Sequence, residues 1–282
     1  MSEVNLRHLL AMLDDPDENI AASVMGELLK YKEELPELLC ELQEAEDPLL
    51  RKRIQQLQSI TLQRQRREDY LQKLSSDDFN VIEALADLHL LWFDHDTAEE
   101  LLEMIRVFME VAANNNIRNL AELGAFMARN GFTLPPAEEA LEPENFCIGP
   151  VLEDRIGADV ILCTLAMLAG IDAGLELGLV RIGGHFAVFS SSGEMIAPEN
   201  DWMPDRISRL ERGDFWSDPR MVFKYASQML FLIAVAADNF RYVHTIGHAL
   251  TGGDGMEQMD FLPYPYNGKT NFNEKTGFFP EK

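Results

Sequence analysis

Three residues of this chain carry groups used in nucleophilic chemistry, at spacings that matter. Asp159 stands at the head of an apolar run over 160–170. Cys163 follows four residues later, which on a helix is the same face one turn on. His185 comes directly after the pair Gly183-Gly184 and opens a run with strand patterning. A cysteine attacks an acyl carbon as its thiolate, a form favoured by a helix N-terminus or a nearby histidine. The histidine then serves as base, and an acid orients it. The chain can be fitted to this scheme as a Cys163–His185 dyad with Asp159 or Glu194 nearby. The alternative is structural. Cys163 would be a buried cysteine among Ile161, Leu162 and Leu165, and His185 would cap a strand end. Burial decides between them, because a buried thiol keeps its proton.

The elements that must position these residues can be read from periodicity and turn chemistry. The run 160–170 predicts a helix buried on most sides. Strands are predicted over 174–182 and 185–191, joined by the Gly183-Gly184 turn, with a short third strand at Glu194-Met195-Ile196. A loop with Trp202 and Pro204 leads to a helical region from 218 to about 250. Upstream, helices are predicted over 79–92 and 97–113, the latter burying Met104, Phe108 and Met109. Ser75-Ser76-Asp77-Asp78 offers capping chemistry for the first of them. A helix over 117–130 stops at Gly131, and 132–143 reads as a Pro- and Glu-rich surface loop.

The first 75 residues read as short antiparallel helices. Leu6, Leu9, Leu10 and Leu13 form one stripe, and Ile20, Val24, Leu28 and Leu29 form the next. A third helix covers 35–42. A fourth carries Leu50, Ile54, Leu57, Leu71 and Leu74, with Arg64, Arg66 and Arg67 on its exposed side. The breaks fall at Asp15-Pro16-Asp17 and Asp47-Pro48. Helix, Asp-Pro turn, helix is the unit of a HEAT-like repeat.

Composition excludes several classes of function. The chain has 282 residues, 48 of them acidic and 24 basic, for a net charge of −24. Nucleic acid and anionic lipid both need a basic footprint, so neither is an expected partner. The longest apolar run, 229–237, is too short to span a bilayer. The start, MSEVNLRHLL, lacks a signal-peptide core, and Cys40, Cys147 and Cys163 form no CxxC pair, so a reducing cytoplasm is expected. His244 and His248 lie four apart without a third ligand, and Asp94-His95-Asp96 reads as a solvated turn, so no metal is expected. Gly252-Gly253-Asp254-Gly255 lacks the Lys-Ser/Thr of a phosphate loop, and no cofactor is expected. The end of the chain carries Phe261, Tyr264, Tyr266, Phe272, Phe278 and Phe279 without periodicity. It could dock a partner or fold back on its own domain.

The run Asn145-Phe146-Cys147-Ile148-Gly149-Pro150-Val151-Leu152-Glu153-Asp154-Arg155-Ile156-Gly157, followed by the helix, Gly174-Leu175 and Gly184-His185-Phe186, resembles the bacterial transglutaminase-like superfamily, and within it the SirB-type branch. The segment 13–18 also resembles the helical lead-in of some members. The resemblance implies a papain-like core, in which a buried helix precedes antiparallel strands. Active members open that helix with Gly-x-Cys. Here the positions read Gly157-Ala158-Asp159, so a carboxylate stands where the thiol would be. The SirB-type branch usually has proline there. The acid of the third strand falls in an Ile-Asp-Pro-like sequence, here Ile196-Ala197-Pro198, and only His185 of the three is kept. The expectation is an α+β protein: a HEAT-like region over 1–75, a transglutaminase-like domain over 76–250 and an irregular tail over 251–282. Its expected function is non-catalytic, the binding or scaffolding of a protein or peptide partner. The alternative is a thiol hydrolase or acyl transferase using Cys163 and His185.

Overall fold

The computed structural model describes residues 3–31, 34–42, 47–75, 79–93, 95–206 and 213–250. Within it the chain forms two compact units, Met1–Asp69 and Tyr70–Lys282.

In the first unit short polar side chains set the helix starts. Helix α1 (Glu3–Leu10) ends in a turn, and Asp17 then accepts the N–H of Asn19 to open α2 (Glu18–Leu28). After α3 (Leu35–Glu41), Asp47 accepts the N–H groups of Leu49 and Leu50 at the head of α4 (Pro48–Ser75), where Pro48 has no N–H to leave unpaired. The division between the units falls inside α4. Leu6, Leu10, Leu13, Val24, Leu28, Leu35, Leu39, Ile54 and Leu57 make one core. Ile20, expected in that stripe, is exposed, and Ala21 is buried instead. The Arg53 side chain is buried and donates to the carbonyls of Leu13 and Asp15, which closes the turn between α1 and α2. Arg64 is not simply solvated either, since it donates to the Leu29 carbonyl at 3.2 Å. The side chains of Arg67, Leu71 and Leu74 lie outside the described residues.

Gly26 lies on the exposed side of α2, with nothing within 4 Å of where a Cβ would stand. A glycine there costs helix stability and gains no packing. Gly26→Ala should therefore stabilise the unit by about 0.5–1 kcal/mol, read as a higher urea midpoint with an unchanged slope. A lower midpoint would contradict this open geometry.

After the end of α4 the second unit continues with three capped helices. Asn80 caps α5 (Val81–Trp92), Thr97 caps α6 (Ala98–Asn114) and Asn119 caps α7 (Leu120–Arg129). Ser75 belongs to α4, and residues 76–78 of the expected cap lie outside the described residues. The sequence 145–157 contains a helix that periodicity did not reveal, α8 (Ile148–Asp154). It is followed by α9 (Asp159–Asp172), β1 (Leu177–Ile182), β2 (His185–Ser190) and β3 (Glu194–Ile196). Two short edge strands were not anticipated, β4 (Asp205–Arg206) and β5 (Asp214–Trp216). The five strands form one antiparallel sheet in the order β4-β3-β2-β1-β5. The expected helical region over 218–250 consists of α10 (Pro219–Ala236) and α11 (Phe240–Leu250), parted where Asp238 takes a φ of 52°.

The fold is α+β. Helix α9 is its axis: Val160 to Ala166 are all buried, with β1 and β2 against one side and α6, α7, α8 and α10 around the rest. Among the described residues no helix is long and apolar enough to cross a membrane. The tail over 251–282, with its Gly252-Gly253-Asp254-Gly255 run, lies outside the described residues.

Candidate functional site

The start of α9 is placed by the sequence that precedes it. Arg155 ends α8 in the left-handed region at φ 62°, and its guanidinium donates to the Asn130 carbonyl. Its own carbonyl accepts from Thr133, Gly157 N–H returns to the Thr133 carbonyl, and Ala158 N–H donates to the Asn145 carbonyl at 2.8 Å. These bonds fix the direction in which the chain enters α9. The position of His185 is set by Gly183 and Gly184, both at positive φ (63° and 100°), in a two-residue hairpin loop that pairs Ile182 with His185.

Asp159 and Cys163 share one face of α9, as their spacing predicts. That face meets the backbone of Phe186. Strand β3 pairs with β2 only at Val188 and Phe189, so beyond it Phe186 finds its partners on the helix. Asp159 Oδ2 accepts the Phe186 N–H at 2.9 Å, and Oδ1 accepts the N–H of Val160 at 2.7 Å. One turn further on, the Cys163 thiol donates to the Phe186 carbonyl at 3.3 Å. Both helix side chains are thus committed to one strand residue. Burial pushes the Asp159 carboxyl above its ordinary range, opposed by the two backbone N–H groups and by His185 and Arg181. Burial also pushes the Cys163 thiol well above its ordinary value, and the charge of Asp159 adds to this. Of the two arrangements considered for Cys163, the geometry is that of the buried cysteine: the thiol is wholly buried and its proton is donated to a backbone carbonyl, not to an imidazole.

His185 is half-exposed, and its Nδ1 lies 3.9 Å from Asp159 Oδ2 and 3.8 Å from Glu199 Oε2. Two carboxylates therefore lie near the histidine. Ala197 leaves the third-strand position without a carboxylate, but the chain turns through Pro198–Asn200 and presents Glu199 two residues later. Glu194, the other acid considered, instead lies near the Ser192 hydroxyl at 3.4 Å. The Glu199 turn is held by Trp202, which is buried, donates its indole N–H to the Phe132 carbonyl at 2.7 Å and sits at φ 60° next to Asp201 at 47°.

Other residues at the site were not singled out from the sequence. Arg181 follows Leu177 and Leu179 on one face of β1, and its guanidinium lies 5.2 Å from the Tyr225 ring centre and 5.6 Å from that of Phe186. Trp216 meets Phe186 edge-on at 4.6 Å and Tyr225 at 5.7 Å. The lone cation in an apolar strand was the one legible clue. The result is a cluster of two carboxylates and an imidazole, with a guanidinium set against aromatic rings nearby. It can hold polar and charged groups of a ligand, but its thiol does not face them.

Elsewhere, Asp96 lies 2.8 Å from the buried His89 Nε2, so this turn residue is more than a solvated one; Asp94 lies outside the described residues. Cys147 is buried and its thiol is likewise pushed up, while Cys40 is exposed. The side chain of His248 lies outside the described residues. Among the described residues no three His, Cys, Asp or Glu side chains converge as a metal site. No protein-family model, curated protein or solved structure matches the chain.

Proposed function

We propose that this chain is a non-catalytic, transglutaminase-like binding protein that takes a protein or peptide partner at the surface around His185. One observation carries the proposal. Asp159 and Cys163, the two groups on α9 that a covalent mechanism would use, are both bonded to the backbone of Phe186. A nucleophile has to be free to reach its substrate. These groups instead replace the strand partner that β3 does not supply, and so they tie the helix to the sheet. What stays exposed is His185 with Glu199, and Arg181 at the margin, a set suited to recognising a partner's polar groups. The buried helix on an antiparallel sheet and the sequence 145–157 support the transglutaminase-like assignment. The helix-and-Asp-Pro pattern of the first unit supports a HEAT-like region that would offer a second docking surface. Three free cysteines are in keeping with a reducing cytoplasm.

The test is an acyl-transfer assay. Purified full-length protein is incubated with a glutamine-containing peptide and a fluorescent primary amine, and incorporation is followed over hours. No incorporation above the protein-free control is expected. Incorporation that is abolished by His185→Ala would overturn the proposal in favour of the thiol acyl transferase.

A further inference from the structure

On the same unit, a groove of about 690 Å³ opens between the first turns of α5 and α10, the end of α9 and strands β1 and β5. Its walls include Phe79, Leu177, Phe189, Phe215, Trp216 and Pro219. None of its lining residues is charged, although 26% of the chain is. Phe215, on an edge strand, is 45% exposed although it packs edge-on against Phe189 at 5.0 Å. Ile171 on the rim is 46% exposed. Large apolar side chains held open in this way mark a surface that binds something.

We infer that this groove binds an extended segment rich in proline and aromatic residues, and that its occupant is the chain's own sequence over 261–266. Three observations select that occupant. The sequence Phe261-Leu262-Pro263-Tyr264-Pro265-Tyr266 is uncharged, like the groove, in a chain of net charge −24. Its alternating prolines bias it to the extended form that aromatic-lined grooves accept. The third is reach. Helix α11 folds back along α10, burying Val243 and Ile246, and so returns the chain toward the end of α10 whose Pro219 and Val222 line the groove. Residues 251–260 can then span up to about 35 Å when extended, and a tether of that length supplies an effective concentration on the order of millimolar. This inference does not depend on the cluster at His185.

The full chain tests it. A benzophenone amino acid, p-benzoylphenylalanine, replaces Phe215, the exposed aromatic on the rim; a second protein carries it at Ile171. Each is mixed with an equal amount of isotope-labelled chain, irradiated, digested and mapped by mass spectrometry. The expected result at either position is crosslinks to 257–270 within one chain, reduced at least five-fold by Tyr264→Ala with Tyr266→Ala at an unchanged melting temperature. Crosslinks between light and heavy chains would mean that a second copy fills the groove. Those, crosslinks confined to other segments, or none at both positions would overturn the inference.

Discussion

Gly124→Ala should lower the melting temperature by about 6–12 °C, an effect opposite in sign to that of the same change at Gly26. In an exposed helix interior alanine is favoured over glycine by about 1 kcal/mol. At Gly124 in α7, however, a Cβ would lie 2.2 Å from the carbonyl oxygen of Trp202 and 3.3 Å from Ile196. The first contact is with backbone, in a segment already at φ 47° and 60°, so it cannot be relieved by turning a side chain. A cost of about 3 kcal/mol follows, and 1 kcal/mol shifts a unit of this size by about 2–4 °C. The same contact positions the turn that carries Glu199, so the variant should also weaken any partner bound at His185. An unchanged or raised melting temperature, read by circular dichroism, would mean that Trp202 does not rest on α7 in this way.

The second large effect concerns the tie between α9 and β2. Asp159→Ala leaves the N–H of Phe186, a residue only 1% exposed, without its acceptor. An orphaned buried donor costs about 1–3 kcal/mol, so a loss of about 2 kcal/mol, or roughly 4–8 °C, is expected. Asp159→Asn should cost less, because an amide oxygen can still accept that hydrogen bond. The pair also predicts a pH dependence. The Asp159 carboxyl is raised by burial, so the folded protein holds this proton more tightly than the unfolded chain. Its contribution to stability is therefore complete below the ordinary aspartate value and is lost as pH rises through the folded one. Wild type should lose stability relative to Asp159→Asn as pH rises from about 4 toward neutrality. A difference that stays flat, or a wild type that gains stability relative to Asp159→Asn over that interval, would show that burial does not govern this group.

Much of the scaffold was legible because its signals are local. The stripe over 160–170, the Gly183-Gly184 turn and the Asp-Pro breaks at 15–17 and 47–48 are short-range, and each formed where its pattern placed it. The i, i+4 relation of Asp159 and Cys163 was also correct as geometry, but what the shared face meets was not legible. It depends on β3 ending before it reaches Phe186, a fact of sheet register. Glu199 escaped for a similar reason. It belongs to no periodic element and reaches His185 only because Trp202 is held by Phe132, seventy residues away. Strands β4 and β5 have two and three residues, too few for a period-two pattern to show. Helix α8 carries a glycine and a proline in its first turn and spans seven residues, which masked it.

The most direct test of the central claim is alkylation of the native protein by iodoacetamide, mapped cysteine by cysteine from pH 6 to 9. Cys40, which is exposed, provides the internal standard. With its thiol buried and given to the Phe186 carbonyl, Cys163 should remain unlabelled across the range while Cys40 reacts, and should label only after denaturation. Labelling of Cys163 below pH 7 at a rate above that of Cys40, slowed by His185→Ala, would contradict the account.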